Sequence, residues 1–341
     1  MISLLVVNYR SAELAAEAIR TARAAAAGPI EVIAVDNSLD PAQAGALRPH
    51  ADAVIASSSN RGYAGGINDG RRACRGEIIV ACNPDVVFAP GSLDALAQAL
   101  AAGAAVAGPA LFWDEAHRWL LPPADLHTGR EKIDEVLAGR SARWAAQRDR
   151  RRFLRRLAFW SSQETQEVRA LSGAVLAIRA DAFDDLGGFD ERFALYFEET
   201  DFLRRAAERR MRIVHVPAAR CRHLYNQSAG QEAEEAAARY AQSEIRYLEK
   251  WDGPFLAHLW SAVAKPPLSK AAADAAALQI EPELIVEASP LPSFATAAGH
   301  FPASRNVELP PDVVRAWRGG PLYLRAVTRA GEVVNAIRMR L

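Results

Sequence analysis

The stretch Ile78-Ile79-Val80-Ala81-Cys82-Asn83-Pro84-Asp85-Val86-Val87 is an apolar run that stops at an Asn-Pro-Asp turn. An unbroken apolar run of this length reads as a strand buried on both faces, as in parallel sheets. Pro84 cannot continue a central ladder and restrains Asn83 to extended geometry, so the Asp85 carboxylate is expected just past the strand's carboxyl end. In an open α/β sheet that end is where ligands bind. Asn, Pro and Asp are also ordinary turn residues, and taken alone the stretch reads equally well as a plain strand-ending turn.

The surrounding sequence favours the first reading. Upstream, the run from Ile2 to Val7 is a short strand ending at Asn8-Tyr9-Arg10-Ser11, followed by an Ala-rich helix from about Ala12 to Ala27 that Gly28-Pro29 stops. Ile30 to Val35 is a second strand ending at Asp36-Asn37-Ser38, and Ala53 to Ala56 and Glu77 to Ala81 repeat the pattern. Strands alternating with helices predict right-handed crossovers and a mostly parallel sheet, hence an α/β fold. Asn8-Tyr9, Asp36-Asn37 and Asn83-Pro84-Asp85 then line one rim, which suggests a nucleotide pocket. Between the third and fourth strands, Gly62, Gly65 and Gly66 lie in Asn60-Arg61-Gly62-Tyr63-Ala64-Gly65-Gly66-Ile67-Asn68. They would let backbone approach a ligand, and a helix from near Ala64 would aim its amino terminus at a phosphate or at sugar hydroxyls. The loop lacks the Gly-Lys-Ser or Gly-Lys-Thr ending of a P-loop, and alone a tight turn explains it as well.

Composition narrows the class. At 341 residues, half of them hydrophobic, the chain can bury one large domain and a smaller one. Lysine plus arginine (41) equals aspartate plus glutamate (41), so no global field attracts nucleic acid. Cys74, Cys82 and Cys221 match no zinc module and fit a reducing compartment. Without a leader-like start or an apolar run of membrane length, the expected location is cytoplasmic, with peripheral contact at the inner face of the membrane as one reading.

The series VVNYRS, VDNS, NRGYAGGIN and CNPDV resembles, in order and spacing, the donor-binding half of inverting family 2 glycosyltransferases of GT-A fold, in the bacterial rhamnosyltransferase-like subgroup. The resemblance implies that Asp36 contacts the nucleotide base and that Asn8 and Tyr9 flank base and ribose. Asn60, Gly62, Gly65, Gly66 and Asn68 would belong to the donor loop. Asn83-Pro84-Asp85 stands where other members carry Asp-X-Asp, so Asp85 would bind a divalent metal, Mg²⁺ or Mn²⁺, bridging the donor diphosphate. Cleaving an anomeric carbon from a nucleoside diphosphate leaves concentrated negative charge, which a hard cation offsets. The sugar gains oxocarbenium character, and a carboxylate on the opposite face can take the acceptor's proton.

That carboxylate is sought in Phe193 to Arg205. The Leu171 to Arg179 run reads as a strand and Leu186-Gly187-Gly188-Phe189-Asp190-Glu191 as a turn. Together they resemble the family's acceptor block, with Gly173 on the donor side. Glu199 is the expected general base, Asp201 an acceptor-orienting neighbour and Glu198 its alternate. Acids in a first helical turn also simply complement the helix dipole, worth a few tenths to about 1 kcal/mol. Past the Ile213 to Pro217 strand, the resemblance carries a phosphate-covering loop onto His223 and Ser228, with His223 a second metal ligand or phosphate donor.

The sequence divides into a catalytic domain at 1–264, a linker at 265–280 and a small β-rich module at 281–341 that could pack, dimerise or bind acceptor. Within the first part, 1–112 is the donor half, 113–167 a variable insert, 168–230 the acceptor half and 231–264 capping helices. The insert carries Arg148 to Trp160, a basic amphipathic helix that reads as a solvated face, a lipid-touching arm or an acceptor clamp. The expected activity is metal-assisted transfer from a nucleotide-diphosphate sugar, dTDP-rhamnose or a UDP-sugar, to a hydroxyl of a glycan or lipid-linked acceptor. The alternatives are an inactive nucleotide-sugar or carbohydrate binder, and a sugar nucleotidyltransferase, for which a basic Gly-rich loop after the first strand is missing.

Overall fold

The computed structural model describes residues 1–224, 233–263, 273–275, 277–281, 283–317 and 320–340. The donor half runs β1 (Ile2–Asn8), α1 (Ala12–Ala25), β2 (Glu31–Asp36), α2 (Pro41–Leu47), β3 (Ala53–Ala56), α3 (Gly62–Arg71), β4 (Ile78–Cys82), β5 (Val86–Phe88), α4 (Ser92–Ala101) and β6 (Val106–Phe112). The insert holds β7 (Trp119–Leu120), α5 (Gly129–Ala138), α6 (Ala142–Ser161) and β8 (Gln166–Glu167). The acceptor half adds β9 (Val175–Arg179), α7 (Ala180–Asp185), α8 (Glu198–Glu208), β10 (Ile213–His223), α9 (Ala233–Asp252) and α10 (Pro254–Val263). Beyond lie β11 (Ala273–Asp274), β12 (Leu278–Gln279), β13 (Ile285–Ser289), β14 (Ala298–His300), β15 (Asn306–Val307), α11 (Pro311–Ala316), β16 (Leu322–Val327) and β17 (Val333–Met339).

One sheet carries the order β11-β17-β16-β13-β14-β7-β6-β9-β4-β1-β2-β3. β1 is central and parallel to both β2 and β4. Leu4, Leu5 and Val6 are fully buried because helices cover both faces, which is why the run is continuous rather than alternating. α1 lays Ala15, Ala18, Ile19 and Ala22 on one face at helical spacing. α3 covers the other, and Gly66 allows it to lie close: a Cβ there would sit 2.8 Å from Val7 Cγ1.

The structure departs from the expected layout at three places. β9 is antiparallel between β4 and β6, so the sheet is mixed, and its ladder starts at Val175 rather than Leu171. α3 begins at Gly62, two residues before Ala64. β10 does not stop at Pro217: it runs parallel to β6, loses register between Val216 and Arg220, and resumes to His223. Pro217 has no N–H to donate, so the ladder yields there as an irregularity rather than an end. The resumed segment pairs antiparallel with β5 and brings His223 opposite Val86.

The C-terminal strands β13, β14, β16 and β17 are antiparallel neighbours, and β14 pairs with β7, itself paired with β6. They therefore prolong the central sheet. α6 is locked onto them by a buried ionic cluster in which Glu287 takes Arg156 at 2.7 Å and Arg325 at 2.7 Å, while Arg325 also holds Asp149 at 2.5 Å. The described parts of 265–280 include β11, paired with β17, and β12, paired with β15. Among the described residues no helix is long and apolar enough to cross a membrane.

Candidate active site

Register places the rim. Asn8 lies opposite Asp36, and Asp36 opposite Ala56, so the ends of β1 to β3 are level. Asn8 and Asp36 are buried, and Asn8 Nδ2 donates to Asp36 Oδ1 at 2.8 Å. Ser38 Oγ donates to the same oxygen at 2.6 Å, and Asn8 Oδ1 accepts from the Ser11 N–H and hydroxyl, each at 3.0 Å. Among the described residues no hydrogen bond reaches Asp36 Oδ2, which leaves a fixed carboxylate with one acceptor oxygen to offer a base N–H. Tyr9 is exposed at the mouth, with the Arg10 guanidinium 5.2 Å from its ring centroid. Ser38 and Arg10 complete this corner, and both stood in the quoted motifs without being singled out.

The glycine loop makes the seam between the two halves. Asn60 Oδ1 accepts the Gly62 N–H at 2.9 Å, and Tyr63 N–H donates to the Ala194 carbonyl at 2.8 Å. Gly62 has φ +70°, and a Cβ there would overlap the Ala194 carbonyl, so only glycine lets the loop touch the acceptor block. Gly65 and Gly66 are buried inside α3. Asn68 is spent elsewhere: Oδ1 accepts the Phe189 N–H at 2.9 Å, and Nδ2 donates to the Phe189 carbonyl at 2.9 Å and Glu191 Oε1 at 3.0 Å. It fastens α3 to the Gly-Gly-Phe-Asp-Glu turn.

Past β4, the Asn83 N–H donates to the Ala174 carbonyl at 2.9 Å, and the Asp85 carboxylate meets His223, whose Nε2 lies 3.3 Å from Oδ1. Burial alone would push the Asp85 carboxyl up, but the His223 charge and hydrogen bond outweigh it and hold it below the usual range. Among the described residues no group of three or more His, Cys, Asp and Glu side chains converges on a cation position. One carboxylate and one imidazole suit a divalent ion that takes its remaining ligands from a diphosphate and water. Ser228 lies outside the described residues. The three cysteines are buried free thiols, and burial pushes the Cys74 thiol up to about 11.

Across the seam, Tyr196 and Phe197 both adopt left-handed backbone, φ +66° and +68°, before α8 begins at Glu198. Two consecutive bulky residues in that region store strain, which surrounding packing must hold: Phe197 is buried against Tyr247, Tyr240 and His127. The turn delivers Glu198 and Glu199 side by side. Burial pushes Glu198 well above the ordinary carboxyl range and the Glu199 charge adds to it; Glu198 Oε2 has no protein partner. Glu199 is also raised by burial, partly offset by backbone N–H groups of the first helical turn. Gly173 supports it, since a Cβ there would sit 2.9 Å from Glu199 Cγ.

Asp201 is fully buried and engaged on both oxygens, by Arg205 at 2.8 Å on one and by Lys250 at 2.6 Å and Trp251 Nε1 at 2.9 Å on the other. It ties α8 to α9, and its complete burial keeps both oxygens away from the surface of the site. Tyr63 is the residue the motif reading missed. Its phenol is buried without a partner, and burial, then Cys82, Glu198, Glu199 and Asp85, all raise its pKa. It therefore sits where the Asp85 side and the Glu199 side face each other.

The sequence matches the family model of Glycosyltransferase like family 2 over residues 1–247. It is 25% identical over 252 residues to an N-acetylglucosaminyl-diphospho-decaprenol L-rhamnosyltransferase of Mycobacterium tuberculosis (strain CDC 1551 / Oshkosh), covering 66% of this chain and 76% of the relative. The strain H37Rv protein of that name matches equally. Among solved structures, the mannosyltransferase PcManGT from Pyrobaculum calidifontis in complex with GDP-Man and Mn²⁺ aligns with TM-score 0.48 and 16% identity, over 77% of this chain and 69% of that one. S. aureus TarS 1-349 aligns with TM-score 0.41 and 14% identity, over 70% and 64%.

Proposed function

The chain belongs to Glycosyltransferase like family 2 and is a glycosyltransferase acting with nucleotide sugars, and from that premise we propose that it transfers a sugar with inversion to an acceptor hydroxyl, Glu199 serving as general base. The sheet described above is the GT-A arrangement of that family. The observation carrying the proposal is that Asp36 and Asp85 stand at the carboxyl ends of β2 and β4, the two strands flanking β1, while Asp85 and Glu199, whose proton affinity burial has raised, both act on the buried Tyr63 phenol.

In this reading Asp36 Oδ2 accepts from the base, and Asn8, Ser11 and Ser38 keep that carboxylate in place. Tyr9 lies against the base. Asp85 and His223 would hold a Mg²⁺ or Mn²⁺ ion, which would supply positive charge against the departing diphosphate. Glu199 takes the acceptor's proton as its oxygen attacks the anomeric carbon from the face opposite the diphosphate. Glu198, Asp201 and Asn68 act through their neighbours, by setting the charge, angle and depth of the α8 start.

Glu199→Gln tests the assignment. Nucleotide-sugar binding by calorimetry should persist while turnover falls by about 10²–10⁴; unchanged turnover would remove Glu199 from the mechanism. A panel of UDP-, GDP- and dTDP-sugars, screened by thermal shift with and without Mn²⁺, identifies the donor.

A further inference from the structure

Beside the seam, the α5–α6 insert and the strip before β9 enclose an open groove of ≈ 950 Å³, near the upper end for small-molecule sites. Its lining is mostly apolar, and three large side chains are left in water: Ile133 at 47% exposure, Leu137 at 37% and Trp144 at 37%. Its cations divide into two kinds. Arg151 is matched by Asp134 at 2.7 Å and Arg155 by Asp125 and Glu131. Arg130 and Arg169 also line it, are exposed, and among the described residues pair with no carboxylate. Charge complementarity therefore calls for an anion at Arg130 and Arg169, and the apolar wall calls for a hydrocarbon beside it.

Two of the segments that line the groove continue into the seam. Leu126 and Thr128 line it and flank His127, whose ring lies 4.7 Å from that of Phe197, the residue before Glu198. Ala170 lines it too, two residues before Ser172, and Gly173 then packs on Glu199.

We propose that this groove holds the lipid end of the acceptor: an apolar chain along Ile133, Leu137 and Trp144, joined through a phosphate or diphosphate at Arg130 and Arg169 to the sugar that meets Glu199. This deepens the transferase reading and rests on it for the sugar end alone. A concave wall suits a single chain, whereas a bilayer surface takes a helix lying in its plane with the apolar face turned outward into it.

The test uses the full chain, with farnesyl diphosphate, farnesol and inorganic diphosphate titrated separately in EDTA. Farnesyl diphosphate should bind at least tenfold tighter than either part. Leu137→Asp, and separately Arg130→Glu with Arg169→Glu, should each weaken it at least tenfold and leave nucleoside-diphosphate binding unchanged. Circular dichroism checks folding, and the exposed arginine pair carries the test if Leu137→Asp does not fold. Equal binding by wild type and the arginine variant overturns the proposal. So does retention on phosphatidylglycerol vesicles through Arg130 and Arg169 without farnesyl diphosphate binding, which would mark a membrane surface. Lipid binding without any nucleotide-sugar binding would sink the transferase reading and spare the groove. Sugar transfer to a lipid-linked acceptor that is undiminished in the arginine variant would do the reverse.

Discussion

Glu198 shares its pocket with Glu199 and leaves Oε2 without a partner, so its neutral form is the one the fold prefers. A carboxyl raised in the folded state adds stability below its unfolded value, and that stability is lost as pH rises through the folded value. Glu198→Gln should therefore raise the melting point at pH 8 by more than at pH 4.5, by roughly 1–3 kcal/mol of relieved burial. A calorimetric scan at both values checks it. His215 has the opposite sign. Burial holds it at about 4, down from 6.5, and its ring stacks on Phe159 with both nitrogens lacking protein partners. The unfolded chain takes up the proton first, so stability falls as pH drops from 6.5 toward 4, by about 3 kcal/mol. His215→Phe should flatten that acid limb in denaturant titrations at pH 7 and pH 4.5. At this scale the placement of Asp36 at the end of β2, of Asp85 just past β4 and of Glu199 in the first turn of α8 was legible from short-range motifs, their roles being part of the proposal. The partners of Asn68 and Asp201 were not, because Phe189 and Trp251 are 121 and 50 residues away.

Among elements, the contact between the α3 start and the acceptor block governs how the halves meet. Gly62 combines positive φ with a blocked Cβ direction, so two independent costs fall on any side chain there. Gly62→Ala should lose about 1–3 kcal/mol from the backbone alone, and more as the Ala194 carbonyl moves aside. Chemical denaturation measures the first effect, and nucleotide-diphosphate affinity should fall with it. The sheet rim was legible because buried parallel strands are written as apolar runs that end level with one another. The full length of β10 was not, since Pro217 reads as a stop, and only the partner strands β6 and β5 show that the ladder resumes.

For the whole molecule, the ionic cluster of Arg156, Glu287, Arg325 and Asp149 joins insert to C-terminal strands across sequence separations up to 176. Glu287→Ala leaves two buried guanidiniums facing each other and should cost roughly 3–5 kcal/mol, read by urea denaturation; equal midpoints would show that the strands do not depend on it. The β-rich character of 281–341 announced strands such as β13 and β16 but carried no sign of which sheet they would join. Their continuity with β7 bears on synthesis. While the first 264 residues have emerged from the ribosome, Arg156 has no Glu287 and the edge of β7 no β14 to pair with. The insert must therefore wait, with an open strand edge and an unpaired cation in its interior face, until residues 287–300 have emerged. Chaperone demand and the yield of C-terminal truncations should follow that delay.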